Sequence, residues 1–135
     1  MKILEKDSLC SLMRRALEKN FSLYLPTHTV AAGNLRYGGM WMVYSSKGLD
    51  GFMEDITRLD LNFEEDVCYI PSLEIESIYR RKGNGKKLFQ ALEEFCKAIE
   101  IPRIELTASP QSAIFYTKIG FKIKTPHGVM VKELS

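Results

Sequence analysis

The stretch LEIESIYRRKGNGKKLFQALEEFCKA, residues Leu73–Ala98, decides the fold of this chain. Its first six residues, Leu73–Ile78, are predicted to form a β-strand. Its second half places apolar residues at helical spacing with polar side chains between them, which predicts an amphipathic helix with one core-facing stripe. The residues of that stripe are Leu88, Ala91, Leu92, Phe95 and Ile99.

The loop between this strand and this helix carries charges that an ordinary helix start does not. The positive end of a helix dipole favours Asp or Glu by about 0.3–1 kcal/mol per charge, yet residues 80–87 include five Lys or Arg residues. Gly83 and Gly85 leave backbone N–H groups unshielded, and such a helix start is suited to an anion, most often phosphate. The alternative is a solvated basic turn whose glycines only shape the bend. The flanking strand, the helix and the excess charge favour a ligand that carries phosphate.

Composition limits the class of protein. The chain has 135 residues, 45% hydrophobic and 27% charged, which predicts one soluble domain, residues 1–135, with a core of its own. The net charge is +2, whereas a nucleic-acid-binding protein would carry a broad basic face. No apolar run approaches the about 20 residues that cross a bilayer, and the N-terminus lacks a signal peptide, so we expect a cytoplasmic protein with no membrane partner.

The three cysteines do not form a recognisable framework. Cys10, Cys68 and Cys96 are odd in number and widely spaced in apolar surroundings. We therefore expect reduced, buried side chains rather than a disulfide or a zinc site. The two histidines have no partner at metal-binding spacing, so no metal is predicted.

The first half of the chain is the less regular half. A helix is predicted from Ser8, and the segment after it fits no single period until Met40–Tyr44, which is predicted to be a buried strand. Gly51–Asn62 contains apolar residues at helical spacing, although a loop is nearly as well supported. Val67–Ile70 is either a strand of its own or the start of a long one, with a bend or bulge at Pro71.

In the second half of the chain, the ends of the helices and strands are clearly marked by the sequence. Arg103–Ala108 is predicted to be a strand, and the helix after it has Ser109 as a cap, Pro110 at its first position and Gly120 just past its end. A turn with proline and glycine then leads to a last strand, Val129–Leu134. The chain is predicted to be a single domain of mixed α/β type.

Two motifs on either side of the central helix are informative together. Arg80-x-x-Gly83-x-Gly85 follows a strand and precedes a helix, and Ala113–Phe121 is a helix that holds a tyrosine and ends in Gly-Phe. In this order they resemble the GNAT superfamily of N-acetyltransferases, whose acetyl-CoA-binding motif is Gln/Arg-x-x-Gly-x-Gly/Ala. The match is clear over residues 67–121, and the first 60 residues agree only in outline.

The resemblance implies a sheet that splays beside the strand at 73–78, with the cofactor acetyl-CoA in the cleft. It implies that the backbone of Leu73, Glu74 and Ile75 pairs with the pantetheine arm and polarises the acetyl carbonyl. Tyr116 matches the residue usually proposed to protonate the departing thiolate. The residues that the resemblance places around the pyrophosphate are Arg80, in the Gln/Arg position of the motif, Arg81, Lys82, Gly83, Asn84, Gly85 and Lys86.

One position departs from the family pattern. Family members often carry Asn seven residues before the tyrosine, where its side chain contacts the pantetheine arm. This chain has Ser109 there, next to Pro110. We expect Ser109 to border the cofactor, but the contact that Asn makes with the pantetheine arm is in question here.

Acetyl transfer from a thioester to an amine needs a neutral amine, a polarised carbonyl and a proton for the sulfur. An alkyl ammonium with a pKa near 10 must first lose a proton, so a general base helps. Glu74 and Glu76 lie two apart on a strand and point to the same face. They either line the acceptor pocket, where one of them, preferably Glu76, is the base, or they face solvent or pair with Lys or Arg. Tyr116 is the expected general acid, whereas without the resemblance it would be taken for a core aromatic.

The leading prediction is an N-acetyltransferase that moves an acetyl group from acetyl-CoA to a primary amine by direct attack in a ternary complex. The amine belongs to a small molecule, a protein or a peptide. The alternatives are a non-catalytic acyl-CoA-binding or sensing domain and a generic nucleotide-binding module. Two carboxylates would suit a cationic acceptor, but the acceptor cannot be read from these residues. Dimers are common among similar proteins, so a homodimer is left open.

Overall fold

The computed structural model describes residues 5–21, 28–36, 38–47, 53–75 and 83–134, which form a mixed α/β fold. The class expected from the sequence is confirmed. In chain order the elements are α1 (Lys6–Phe21), β1 (His28–Asn34), β2 (Met40–Lys47), β3 (Met53–Glu64), β4 (Val67–Ile75), α2 (Asn84–Ala98), β5 (Arg103–Thr107), α3 (Pro110–Lys118), β6 (Lys122–Ile123) and β7 (Val129–Glu133).

The strands form a single mixed sheet in the order β1-β2-β3-β4-β5-β7-β6. Neighbouring strands are antiparallel except for β4 and β5, which are parallel. A parallel pair needs a crossover connection, and α2 supplies it. The sheet therefore consists of an antiparallel meander, β1 to β4, joined to the β5–β7–β6 group through one parallel pair.

Strand β4 is continuous through Pro71, which settles the choice between one long strand and two short ones. Between the pairs Asp60–Ser72 and Asn62–Tyr69, one residue of β3 faces two residues of β4, the second of which is Pro71. A bulge of this kind leaves one residue outside the ladder, where a proline without an N–H group is tolerated. The bulge predicted at Pro71 is confirmed.

Strands β4 and β5 separate at this bulge. The pairing of β4 with β5 ends at Ile70 and Leu106, while the pairing of β4 with β3 continues to Ile75. Strand β5 continues to Thr107 in its pairing with β7. The sheet thus opens between β4 and β5, as the family resemblance implied, and we call this opening the β4–β5 cleft.

The core lies between the sheet and the helices α1 and α2, which pack against each other. Met13, Ala16 and Leu17 of α1 are buried, and the Phe21 ring stacks on Tyr44 of β2 with the ring centroids 4.3 Å apart. The apolar stripe predicted for α2 is confirmed, since every residue in it is at most 1% exposed. These residues are Leu88, Ala91, Leu92, Phe95 and Ile99.

The helical spacing in Gly51–Asn62 is misleading, because Met53–Glu64 forms strand β3. Over its last part, buried Thr57, Leu59 and Leu61 alternate with more exposed residues, which is the period of a strand. Strand β3 pairs with β2 over Met53–Leu61 and with β4 over Thr57–Glu64. The pairing on both sides overrides the weak local pattern.

The cysteine prediction is confirmed for Cys68 and Cys96, which are free thiols in the buried core, while Cys10 is half-buried. The hydrogen bond with Cys96, followed by burial, raises the pKa of the Cys68 thiol. A protonated thiol is the unreactive form. The buried Cys68 side chain therefore acts as a small core residue at neutral pH.

Candidate cofactor and catalytic site

The N-terminus of α2 lacks the usual cap. The N-cap residue Gly83 has φ 77° and ψ 11°, a left-handed conformation that favours glycine, and among the described residues no side chain caps the helix. The first turn contains no acidic residue. The Lys87 N–H is bonded to the Gly83 carbonyl at 3.0 Å, so the N–H groups of Asn84, Gly85 and Lys86 are those that helix geometry leaves without an intrahelical acceptor.

This helix start has the properties of an anion site. N–H groups without an intrahelical acceptor and the positive end of the helix dipole lie at the same place. A Cβ atom at Gly83 would have open space around it, so positive φ, rather than crowding, is what requires glycine there. The geometry fits the phosphate-binding role that the loop sequence predicts.

Strand β4 brings the backbone of Leu73, Glu74 and Ile75 to the β4–β5 cleft. These three residues pair with β3 on one side only, opposite Leu59, Arg58 and Thr57 in that order. Because β5 has already left β4 at Ile70, their other backbone edge faces the cleft. An extended ligand laid in the cleft would meet the polar groups of a strand edge.

Tyr116 lies on α3, where its ring is buried in a cluster of aromatic side chains. The ring centroids of Phe89, Phe115 and Phe121 are 5.7, 5.3 and 5.7 Å from its own, all in edge-to-face arrangements. The residue is 9% exposed, and burial raises the pKa of its phenol above the ordinary value. Tyr116 is therefore protonated at neutral pH, which is the state that a general acid needs.

Phe89 joins this tyrosine to the anion site. It lies on α2 four residues after Gly85, one helical turn from the uncapped N–H groups. Its ring contacts Phe115, Tyr116 and Phe121. The sequence did not single out Phe89, because its contact with Tyr116 is a tertiary one.

Ser109 caps α3 as the sequence predicted. Its Oγ accepts a hydrogen bond from the Ser112 N–H at 3.2 Å and lies 2.9 Å from the Ser112 Oγ. Pro110 occupies the first turn, and Gly120, with φ 103°, follows the helix. The side chain of Ser109 is thus engaged with its own helix, in the position where family members often carry Asn.

A cavity of about 370 Å³ lies between the first turn of α3 and the β6–β7 hairpin. Its lining is mostly apolar, and it includes Ser109 and Ala113 from α3 and the exposed His127 from the hairpin turn. Ser109, Ala113 and Tyr116 are spaced by four and three residues, so they share one face of α3. Ser109 and Ala113, which line the cavity, therefore lie on the face of α3 that also carries Tyr116.

Comparison with known proteins gives the family. Residues 39–130 match the family model described as acetyltransferase (GNAT) domain. The chain belongs to the GNAT family. It spans about half the length of the curated relatives it matches. One of these is the uncharacterized protein YxbD of Bacillus subtilis, 31% identical over 90 residues, 60% of this chain and 55% of that protein.

Solved GNAT structures share the fold at low sequence identity. An acetyltransferase of the GNAT family from Staphylococcus aureus Mu50 is 15% identical with a TM-score of 0.61, over 100% of this chain and 98% of that one. The PaiA N-acetyltransferase from Thermoplasma acidophilum, solved in complex with coenzyme A, is 23% identical with a TM-score of 0.57, over 69% and 59%. These likenesses show that the chain shares its fold with solved acetyltransferases.

Several residues predicted to form the site lie outside the described part of the chain. These are Glu76, Arg80, Arg81 and Lys82. Glu74 is placed by its backbone alone, opposite Arg58, whose Nε donates a hydrogen bond to Asp60 at 3.1 Å. The described residues that the GNAT motifs assign to the cofactor thus fall in three places: the cleft edge of β4, the start of α2 and the Ser109–Tyr116 face of α3.

Two further features of the described residues concern metal binding and membrane crossing. Within the described ranges, no group of three or more His, Cys, Asp or Glu side chains is arranged to hold a metal ion. None of the described helices is both long and apolar enough to cross a bilayer.

Proposed function

We propose that this GNAT protein is an N-acetyltransferase that transfers the acetyl group of acetyl-CoA to a primary amine by direct attack in a ternary complex. The observation that carries the proposal is the parting of β4 from β5 after Ile70. Because of this separation, the backbone edge of Leu73–Ile75 does not pair with β5. The same strand precedes the uncapped start of α2. A strand edge and an anion site in succession suit a ligand that has an amide-rich arm and a diphosphate.

The proposal assigns the parts of the cofactor to three segments. The diphosphate binds the N–H groups of Asn84, Gly85 and Lys86, together with the basic side chains of Arg80, Arg81 and Lys82 in the preceding loop. The pantetheine arm binds the cleft edge of β4. The complex of the Thermoplasma PaiA protein with coenzyme A, a protein of the same fold, supports this choice of ligand.

The chemistry follows from the residues that line this arrangement. A carboxylate, Glu76 or Glu74, removes a proton from the acceptor ammonium, and the neutral amine then attacks the thioester carbonyl. A β4 N–H group stabilises the developing oxyanion. As the tetrahedral intermediate collapses, the carbonyl re-forms, the C–S bond breaks and the Tyr116 phenol donates its proton to the leaving thiolate. The attacking nitrogen loses its second proton to the Tyr116 phenolate through solvent, and the carboxylate releases the first proton to solvent. The products are the N-acetylated amine and coenzyme A.

The test is turnover of acetyl-CoA with a panel of primary amines that includes polyamines, aminoglycosides and a lysine-containing peptide. Coenzyme A should be quantified by chromatography, because reagents that detect thiols would also react with cysteines of the protein. We expect amine-dependent release of coenzyme A, and loss of that release in Glu76→Gln. Binding of coenzyme A without turnover on any amine would indicate the acyl-CoA-binding alternative. Binding of ATP without binding of coenzyme A would indicate a generic nucleotide-binding module.

A further inference from the structure

A single lysine joins three elements of the fold. Lys132 of β7 places its Nζ 2.6 Å from the backbone carbonyl of Ile119, at the end of α3, and 2.6 Å from a carboxylate oxygen of Glu93 on α2. The side chains of Lys132 and Glu93 are 21% and 18% exposed. This pair is better shielded from solvent than the exposed ion pairs whose contribution is close to zero.

The lysine fits this place for three physical reasons. A cation at the C-terminal end of a helix is favoured by the helix dipole, and here it also donates to a carbonyl that the helix leaves unbonded. The residue after Ile119 is Gly120, where a Cβ atom would lie 3.0 Å from the Cε of Lys132. Glycine at that position therefore leaves room for the lysine stem.

The contact lies beside the aromatic contact of the candidate acid. Phe89 and Glu93 are one turn apart on α2, so both point toward α3. Phe89 packs on the Tyr116 ring. Glu93 binds Lys132, which in turn binds the last turn of α3, and that turn begins at Tyr116. The Tyr116 carbonyl accepts from the N–H groups of Ile119 and Phe121 at 3.2 and 2.9 Å, so the lysine and the tyrosine belong to the same hydrogen-bonded turn.

We propose that Lys132 is a positioning residue that fixes the Tyr116 helix to the phosphate-binding helix. The inference rests on the proposed function. Helix α2 starts at the candidate diphosphate site and α3 carries the phenol that must meet the sulfur of the same cofactor. A tether between α2 and the end of α3 sets the distance between these two sites. A shift of about 1 Å at a reacting group can cost on the order of 100-fold in rate.

The chain offers a matched control on the neighbouring residue of α2. Glu94 pairs with Lys19 of α1 at 3.2 Å, but these side chains are 40% and 73% exposed, and the pair ties α2 to α1 rather than to α3. We expect Lys132→Met and Glu93→Gln each to lower kcat on the order of 10- to 100-fold with little change in the KM for acetyl-CoA. Lys19→Met and Glu94→Gln should leave both constants within about twofold of the parent protein.

A double-mutant cycle separates positioning from general loss of stability. If Lys132 acts through the phenol, Lys132→Met should have little further effect on kcat in a Tyr116→Phe background, because the group that it positions is gone. An undiminished kcat in Lys132→Met, or an equal loss in both backgrounds, would overturn the proposal. Glu93→Gln gives the same comparison should Lys132→Met fold poorly.

Amide hydrogen exchange gives a readout that needs no activity. The Phe121 N–H, which bonds to Tyr116, should exchange faster in Lys132→Met and at the parent rate in Lys19→Met. If the parent protein shows no turnover, the proposed function has failed, while faster exchange would still support the tether. An unchanged exchange rate at Phe121 in Lys132→Met would rule the tether out.

Discussion

At the scale of single residues, substitution of Tyr116 gives the most direct test of the proposed acetyl transfer. General acid catalysis typically contributes about 10²–10⁴-fold, so we expect Tyr116→Phe to lower kcat by at least about 100-fold near neutral pH. Phenylalanine fills almost the same volume in the aromatic cluster, so the free energy of unfolding should change little. Steady-state kinetics and urea unfolding measure the two effects.

The pH dependence of the same reaction has a definite sign. Burial raises the pKa of Tyr116 above 10.0, so the proton-donating form persists through neutral and mildly alkaline pH. In the parent protein kcat should fall only as the pH passes the raised pKa, and Tyr116→Phe should lack this alkaline fall. Tyr69→Phe, at a half-buried tyrosine of β4, is the control. A similar loss of kcat in Tyr69→Phe would argue against a specific role for Tyr116.

Gly83 tests the diphosphate assignment, and Gly38 provides a matched control. Both glycines have positive φ, 77° and 101°, and in both a Cβ atom would meet nothing within 4 Å. Glutamate therefore brings the same backbone strain and charge to each. We expect Gly83→Glu to weaken coenzyme A binding on the order of 100-fold or more, because like charges at a binding site cost several kcal/mol. Isothermal titration should show unchanged affinity in Gly38→Glu, and unchanged affinity in Gly83→Glu would contradict the loop assignment.

Residue-scale features were predictable where their causes are local. The cap at Ser109, the proline after it and Gly120 follow from backbone rules that act within one turn, and all three are confirmed. The contact of Phe89 with Tyr116 could not be predicted from local rules, because it joins residues of two separate helices. The tether through Lys132 escaped prediction for the same reason.

At the scale of elements, Ser109 distinguishes a structural cap from a cofactor contact. Loss of an N-cap serine costs about 0.5–2 kcal/mol, so Ser109→Ala should lower the free energy of unfolding by about 1 kcal/mol in urea. Ser11→Ala, within α1, should stabilise slightly if it has any effect, because alanine is the better helix former. If the hydroxyl acts only as a cap, the affinity for coenzyme A should be the same in both variants. A selective loss of affinity in Ser109→Ala would show that the hydroxyl also contacts the cofactor.

The elements that could be predicted from the sequence are those whose local sequence determines them without help from neighbouring strands. Helix α3 carries its own start and stop signals and helix α2 carries an apolar stripe at helical spacing, and both are found where the sequence predicts them. Strand β3 carries no such signal, because its two neighbours in the sheet determine it, and a chance helical spacing concealed it. Strand β1 lies in the segment that fitted no period, and its pairing with β2 defines it.

At the scale of the whole molecule, the sheet order and the cleft reflect pairings that no single segment contains. Strands β4 and β5 separate beside the bulge at Pro71, which the sequence indicated, and the separation is seen in the register of the strands, which the sequence did not indicate. The cleft was therefore expected through the family motifs rather than through periodicity. The family motifs do not cover the site of the acceptor amine, so the acceptor is identified by assaying the panel of amines.

Ligand-induced stabilisation tests whether the cleft and the start of α2 act as one site. Coenzyme A at 100 times its dissociation constant should add about 2.7 kcal/mol to the free energy of unfolding. At the same concentration, pantetheine should bind only the cleft, and ADP should bind only the phosphate-binding loop. Each should therefore raise the free energy of unfolding by less than coenzyme A does. Because a linked ligand makes its second contact intramolecularly, the stabilisation by coenzyme A should also exceed the sum of the two. Stabilisation no greater than the sum would mean that the two places bind independently, and no stabilisation by coenzyme A would remove the basis for a cofactor in this cleft.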